Sequence, residues 1–225
     1  MEFSPLIDGT SATIVVGGTA LATMLRTGPH ELAVTARALA GLVQARFTAE
    51  QGKADLAGQV TAIRRDGVLR VTPMTTGDRE FDEATDLMIR SRSLDPLIER
   101  HEAYRIKRMA QANAAVRTLA QAAELGPVFG MVGTLVSLSS LPATGLDPSA
   151  LNGAISMAVV TTLYGLLLAN LLFAPLARMV ERRAQAEEQA RQEVIDWLTA
   201  QLEPTLPHRV HPIRTPVAPR ARQHA

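Results

Sequence analysis

Three stretches of the chain contain no Asp, Glu, Lys or Arg, although charged residues are dense everywhere else. They run from Gly9 to Leu25, from Leu125 to Leu146 and from Pro148 to Ala177. A bilayer core about 30 Å thick is crossed by roughly 20 apolar residues in a helix. The second and third stretches are therefore long enough to span a membrane, and the first reaches that length with its flanks. The alternative for each stretch is a buried helix in the core of a soluble protein.

The 23 Lys and Arg residues are distributed around these stretches in a strict pattern. Fifteen lie between Arg26 and Arg117 and eight between Arg178 and Arg222, with none before the first stretch or between the second and third. Because positively charged flanks stay in the cytoplasm, the pattern predicts three spans, with the N-terminus outside and the C-terminus inside. A cleaved signal peptide is disfavoured, since no basic residue precedes the first stretch.

The sequence thus predicts an all-α integral membrane protein, with three transmembrane helices and long cytoplasmic helical extensions. Apolar residues recur at helical spacing from Phe81 to Glu124, and Asp95-Pro96 is a typical helix start. We therefore expect one long helix from about Pro96 into the membrane, bent near Gly126-Pro127. The predicted divisions are an N-terminal span at 1–25, a cytoplasmic helical domain at 26–124, a channel-forming hairpin at 125–177, a cytoplasmic helix at 178–203 and a disordered, basic, Pro-rich tail at 204–225.

Composition excludes several classes of protein. The chain has no Cys, which excludes disulfides, a thiol nucleophile and thiolate metal sites. Its 5 His residues are scattered, no phosphate-binding glycine loop precedes a helix, and no Asp, Glu, His, Lys or Arg lies inside any of the three uncharged stretches. We therefore expect no enzyme active site, no metal and no cofactor, and the net charge of +1 gives no reason to expect nucleic-acid binding.

The last two predicted spans carry a specific set of motifs. Residues 126–138 read GPVFGMVGTLVSL, with Gly-Pro at the start and Gly-Thr in the middle. Residues 158–169 read AVVTTLYGLLLA, in which the second Thr is followed three residues later by Gly, and Pro175 lies near the inner end. This combination resembles the MotA/TolQ/ExbB family of proton-channel subunits. The resemblance covers residues 120–180 by motif and the remainder by layout.

The family resemblance implies a mechanism. Five such subunits ring two single-span partner helices, each of which brings one aspartate past which protons move. The resemblance implies that Thr134 and Thr162 face that aspartate and form the proton pathway, and that Pro127 and Pro175 serve the conformational step. Small residues let helices approach closely in lipid, and those expected at helix-packing positions are Gly17, Gly18, Gly130, Gly133 and Gly165.

The implied function is that of a proton-channel subunit in a complex driven by the proton-motive force. The complex is either a MotA-like flagellar stator or a TolQ/ExbB-like transport motor in a bacterial inner membrane. Its expected partners are further copies of the same chain, forming a homo-oligomer of five, a single-span MotB-, ExbD- or TolR-like subunit, and membrane lipid. A non-conducting membrane scaffold of the same fold is the alternative.

Features of both branches of the family are present. The layout of three spans with an outer N-terminus resembles TolQ and ExbB, whereas the segment 14–19, IVVGGT, resembles MotA. Arg64 and Gly67 match a cytoplasmic Arg-x-x-Gly motif of MotA-type subunits, which makes them candidates for contact with a cytoplasmic partner. Thr72 stands where those subunits carry a Glu used against the rotor. The sequence therefore leaves the branch open.

Overall fold

The computed structural model describes residues 8–141 and 147–205. Within these ranges every regular element is helical and no strand occurs, in agreement with the predicted all-α class. Residues 1–7 of the predicted N-terminal span, residues 142–146 and most of the predicted Pro-rich tail, from 206 onward, fall outside the described residues.

The helices follow one another with short connections. The first, α1, comprises Gly9–Ala12, a π-helical turn at Thr13–Gly17 and Gly18–Thr27. Three shorter helices follow: α2 at Pro29–Gly41, α3 at Ala49–Asp66 and α4 at Arg79–Ser91. Two long helices complete the described chain: α5 at Asp95–Ser139, and α6, which comprises Pro148–Leu167, a π-helical segment Leu168–Phe173 and Ala174–Leu202.

Local sequence signals set the helix ends. The Asp8 carboxylate accepts hydrogen bonds from the backbone N–H groups of Thr10 and Ser11 and so caps α1. Gly28, at φ +80°, separates α1 from α2, and Pro29 takes the first position of α2, where its missing N–H costs nothing. Gly67 follows the last residue of α3, with φ +75°, and its N–H donates to the Ile63 carbonyl at 3.0 Å.

Helices α5 and α6 are long and apolar enough to cross a membrane. The 45-residue α5 begins one residue before the predicted start and runs without a break into the second uncharged stretch, where it ends at Ser139. Pro127 lies inside it without ending it. The 55-residue α6 likewise continues past the third uncharged stretch. The prediction that both helices extend beyond the apolar segments is therefore confirmed.

The described chain forms two compact units. Unit 1 contains residues 8–48 and 105–191, and unit 2 contains residues 49–104 and 192–205. The core of unit 1 includes Ala115, Leu119, Ala177 and Val180. Fully buried side chains of unit 2 come from all four of its helical segments and from the connection between α4 and α5: Leu56, Ile63, Phe81, Met88, Leu94, Leu97, Ile195, Leu198 and Leu202.

Large apolar side chains also lie on the outer surface of unit 1. Leu25 is 80% exposed, Leu135 67% and Leu171 75%, one on each of α1, α5 and α6. Exposure of this extent would be costly in water and is expected where helices face lipid or other subunits. The predicted membrane segments therefore present apolar surface outward.

Candidate functional site

The centre of unit 1 is a close contact between α5 and α6 at their glycines. A Cβ on Gly126 would lie 2.8 Å from the Gly165 carbonyl oxygen, and one on Gly130 would lie 3.1 Å from the Thr161 carbonyl oxygen. A Cβ on Gly133 would lie 2.6 Å from the Thr161 side chain. The two backbones approach this closely only because these positions lack side chains, as small-residue helix interfaces in membranes do.

Helix α1 joins this contact through one of its two adjacent glycines. A Cβ on Gly18 would overlap the ring of Phe129 on α5, whereas one on Gly17 would meet no described heavy atom within 4 Å. Within the described chain, Gly18 is therefore the packing position, and Gly17 makes no close contact of this kind. Gly126 is as tightly packed as the predicted glycines, although the motif indicated only a proline–glycine helix start there.

The two predicted pathway threonines are half-buried, each on one helix of the pair. The Thr134 hydroxyl donates to the Met131 carbonyl at 2.6 Å, and the Thr162 hydroxyl donates to the Ala158 carbonyl at 3.1 Å. Each hydroxyl proton is thus bound within its own helix. The oxygen keeps acceptor capacity for another donor, because a hydroxyl has two lone pairs.

The threonine next to Thr162 has a different environment. Thr161 is fully buried, its side chain lies against Gly133, and its hydroxyl donates to the same Ala158 carbonyl at 3.0 Å. Successive residues on a helix point in different directions, so the two hydroxyls share an acceptor but not an environment. The buried Thr161 serves helix packing, while Thr162 retains exposed surface.

Both predicted conformational prolines lie inside helices. Pro127 follows the Gly126 contact on α5, and Pro175 follows the π-helical segment Leu168–Phe173 on α6. A proline in a helix lacks the N–H that would bond the carbonyl four residues earlier. Each therefore weakens the backbone at one point of its helix, beside the glycine contact on α5 and beside an already irregular turn on α6.

The cytoplasmic-contact candidates lie at the end of α3 in unit 2. Arg64 Nη1 donates to Gln201 Oε1 of α6 at 2.8 Å, and Gly67 ends the helix with its positive φ. Both residues are exposed, as is Thr72 in the following segment. The Arg64 side chain is thus engaged within the chain while remaining at its surface.

Unit 2 also contains a buried polar cluster that sequence spacing did not indicate. His101 and Glu80 are 2% and 3% exposed, and His101 Nδ1 lies 2.7 Å from Glu80 Oε1. The other ring nitrogen, Nε2, lies 3.1 Å from Gln192 Oε1, and Gln192 Nε2 donates to Asp196 Oδ1 at 2.8 Å. The cluster joins α4, α5 and α6 and satisfies polar groups that would otherwise be costly to bury.

Another carboxylate of α4, that of Glu83, has a lowered pKa. Glu83 accepts hydrogen bonds from Arg79 Nε at 2.8 Å and from the Tyr104 hydroxyl at 2.9 Å. These bonds, that from Arg79 foremost, lower the pKa of Glu83, because they stabilise its charged form. The same hydrogen bond to Glu83 raises the pKa of Tyr104. Both groups lie in unit 2, outside the apolar segments.

Comparison with known proteins places these features in a family. The sequence profile of the MotA/TolQ/ExbB proton channel family matches residues 78–193, more than half of the chain. Motility protein A of Cereibacter sphaeroides is 28% identical over 197 residues, covering 87% of this chain and 78% of that protein. Chemotaxis protein PomA of Vibrio alginolyticus is 28% identical over 200 residues, covering 86% of this chain and 77% of that protein.

Solved structures show the same fold. The flagellar MotAB stator complex from Bacillus subtilis contains a chain that matches with a TM-score of 0.78 at 19% identity, covering 89% of this chain and 81% of that one. C. jejuni MotAB contains a chain that matches with a TM-score of 0.74 at 20% identity, covering 91% and 86%. The profile match, which includes most of α5 and α6, describes channels rather than enzymes. The chain belongs to the MotA/TolQ/ExbB proton channel family.

Proposed function

We propose that this chain is the channel subunit of a flagellar stator complex, working with a single-span partner of the MotB kind. Its relatives named motility protein A and PomA, and the fold it shares with chains of two MotAB complexes, support the flagellar branch over the transport branch. Of the two branches whose features the sequence combines, we therefore favour the MotA branch. A TolQ- or ExbB-like role would need a different partner and load.

The proposed mechanism depends on two hydroxyl groups and on the lack of charged side chains at membrane depth. Thr134 and Thr162 present half-buried hydroxyls on α5 and α6, while residues 125–141 and 148–177 of the described chain contain no Asp, Glu, His, Lys or Arg. A proton cannot be held at membrane depth by this chain's own carboxylate. The partner therefore supplies the aspartate, and the two hydroxyls supply hydrogen bonds to it without the cost of a second buried charge.

The proposed topology has three spans. Residues 9–27 of α1 form a helix about 28 Å long, close to the thickness of the hydrocarbon core. With α5 and α6 this gives a span at 1–25, a hairpin at 125–177 and cytoplasmic segments at 26–124 and 178–225 in the inner membrane. The N-terminus is periplasmic and the C-terminus cytoplasmic, because all 23 Lys and Arg then lie on the cytoplasmic side.

Assembly follows from the outward apolar surface. We assign five copies to a ring around two partner helices, with Gly17 free to pack against a neighbouring chain. Pro127 and Pro175 are the proposed points at which α5 and α6 bend as a proton passes. Arg64 and Gly67 shape an exposed cytoplasmic surface that is available to the rotor.

The test compares two adjacent threonines. Thr162→Val removes the half-exposed hydroxyl at nearly equal volume, and Thr161→Val makes the same change at a buried packing position that uses the same Ala158 carbonyl. We expect both variants to assemble with the partner, and only Thr162→Val to abolish proton conduction by the complex in liposomes. Equal conduction by Thr162→Val and the unmodified protein would refute the pathway.

The partner itself can be identified directly. A C-terminally tagged chain, purified from native membranes in mild detergent, is expected to bring a single-span protein with a membrane aspartate and an outer domain. Mass spectrometry identifies that protein and so tests the flagellar branch. A ring that is recovered without any such partner in every detergent would support the non-conducting scaffold instead.

A further inference from the structure

A cavity of about 340 Å³ opens within unit 1, among α2, α5 and α6. Each helix contributes one arginine to its lining: Arg37 from α2, Arg108 from α5 and Arg183 from α6. Glu187 is the acidic residue of the lining. The remaining wall is largely apolar and includes Val34, Leu42 and Val180.

Two of the three arginines are fixed by other groups of the chain. Arg183 Nη2 donates to the backbone carbonyls of Gln44 and Ala45 at 2.9 and 3.1 Å. Arg108 donates to Glu188 Oε2 from Nη2 at 2.7 Å and from Nε at 3.1 Å. These contacts hold two positive charges at the cavity with little freedom to move away, which reduces the entropy cost of binding an anion.

Arg37 differs from these two. Among the residues that the structure describes, it makes no hydrogen bond and no ion pair, and it is exposed. Glu187, in contrast, already receives a hydrogen bond from Arg191 Nε at 3.3 Å. Glu188 likewise pairs with Arg108. The excess positive charge of the cavity therefore comes from the other two arginines of its lining, and the Arg37 guanidinium can donate hydrogen bonds to an anion.

The position of the cavity relative to the membrane indicates which kind of molecule carries the anion. Val180 and Arg183 follow Ala177, the last residue of the third uncharged stretch, by about 4.5 and about 9 Å along the helix. The headgroup layer extends roughly 5–8 Å beyond the hydrocarbon core on each side. The Val180 edge of the cavity thus lies within the headgroup layer and Arg183 just beyond its inner border, a placement that depends on the membrane location of the family and not on the stator function.

We infer that this cavity binds the phosphate of an anionic phospholipid, with Arg37 as its main ligand. The planar guanidinium fork matches phosphate oxygens in a two-point hydrogen bond. The apolar wall around Val34 and Leu42 accommodates the glycerol and the first carbons of the acyl chains, which a free phosphate lacks. A choline headgroup would add its own positive charge to a cavity that already has an excess of positive charge.

The test uses the full chain in complex with its partner, in a neutral detergent. The complex is titrated with dioctanoyl phosphatidylglycerol, with dioctanoyl phosphatidylcholine and with inorganic phosphate, while its thermal unfolding midpoint is recorded and native mass spectrometry counts bound lipid. We expect a saturable rise of the midpoint with phosphatidylglycerol alone. Arg37→Gln should raise the phosphatidylglycerol concentration at half-saturation about tenfold, since it removes a charge-assisted pair of hydrogen bonds.

Arg182→Gln is the matched control. It removes an equal charge from the exposed surface of α6, next to Arg183, but Arg182 does not line the cavity. The phosphatidylglycerol concentration at half-saturation should change by less than about twofold in this variant. If both variants bind phosphatidylglycerol equally weakly, the protein attracts anionic lipid through its overall charge, and the proposed site would be refuted.

Three further outcomes separate the alternatives. An equal response to phosphatidylcholine, or no saturable response in the unmodified complex, would contradict the inference. A comparable rise with inorganic phosphate alone would assign the cavity to a soluble phosphate compound instead. Because Thr162→Val leaves the cavity unchanged, it should bind phosphatidylglycerol normally, so a failure of the proton pathway and a failure of the lipid site can be told apart.

Discussion

Gly126 and Gly165 lie opposite each other across the contact between α5 and α6, and neither position can hold a side chain. A Cβ on Gly126 would lie 2.8 Å from the carbonyl oxygen of Gly165, and a Cβ on Gly165 would lie 2.5 Å from the carbonyl oxygen of Gly126. The obstructing atoms belong to the backbone, so no side-chain rotation relieves the overlap. This reciprocal contact sets how closely the two long helices approach.

Replacing Gly165 by Ala should therefore separate these helices. Overpacking of this kind costs about 1–3 kcal/mol or more, and here it requires the backbone to move. We expect a lower thermal unfolding midpoint of the detergent-purified complex and reduced recovery of assembled rings. Size-exclusion chromatography and a thermal melt measure both effects.

Gly153 provides the control on the same helix. A Cβ there meets no described atom within 4 Å, so Gly153→Ala should be neutral or slightly stabilising through its better helix propensity. If Gly165→Ala is as stable as Gly153→Ala, then the close contact between α5 and α6 is not present in the assembled complex.

The extent of the long helices was predictable because two local signals coincide. Asp95-Pro96 marks a helix start, and neither Gly nor Pro interrupts the chain between there and Gly126. The uncharged stretches then locate the lipid-facing parts without any knowledge of tertiary contacts. Local sequence is sufficient for such features, since a helix makes its backbone hydrogen bonds within itself.

The direction in which neighbouring side chains point was harder to predict. Thr161 and Thr162 have the same chemistry, and only the position of Gly133 on α5 makes Thr161 the buried one. In α2, Val34 and Thr35 are buried, whereas Ala36, the next residue along the helix, is exposed. Which face packs depends on the partner helix, and the sequence of one helix does not contain that information.

The cluster at His101 was not predictable for a related reason. Glu80 precedes His101 by 21 residues and Gln192 follows it by 91, so no local spacing connects them. Only the folding of unit 2 brings α4 and α6 to α5 at this point. Scattered histidines in a sequence can therefore still be paired in the structure.

The buried pair of His101 and Glu80 should be energetically coupled. We expect His101→Leu and Glu80→Leu each to destabilise unit 2, because each removes one side of a buried polar contact. The double variant should lose less than the sum of the two, with a coupling energy of about 1–3 kcal/mol. A double-mutant cycle of denaturant or thermal unfolding measures it, and strictly additive losses would show that the contact contributes little.

A buried amide in α3 is expected to reduce stability. Gln59 is 2% exposed, and neither of its amide atoms has a hydrogen-bond partner among the described residues. Gln59→Met keeps the length of the side chain and removes both polar atoms, so it should stabilise the protein by about 1–2 kcal/mol. The exposed Gln185→Met is the control and should change stability by no more than about 0.5 kcal/mol. A destabilised Gln59→Met variant would mean that the amide is satisfied in the assembled complex.

Because of the lowered pKa of Glu83, we expect the stability of unit 2 to fall as the pH falls. Its hydrogen bonds from Arg79 and Tyr104 hold its pKa below the ordinary value of 4.5 in the folded chain. A carboxyl group with a lowered folded pKa contributes its stability above the unfolded pKa and loses it as the pH falls through the folded pKa. The contribution is therefore complete at about pH 6 and decreases on acidification towards about pH 3.

Glu83→Gln removes this titration while keeping the size of the side chain. The unfolding midpoint of the unmodified protein should exceed that of Glu83→Gln at about pH 6, and the difference should shrink as the pH approaches about 3. Glu50→Gln, at an exposed position that forms no ion pair within the described residues, should leave the pH profile unchanged. A constant difference between the unmodified protein and Glu83→Gln over this range would show that the hydrogen bonds do not favour the charged carboxylate, because only a difference in proton binding between the folded and unfolded chains makes stability depend on pH.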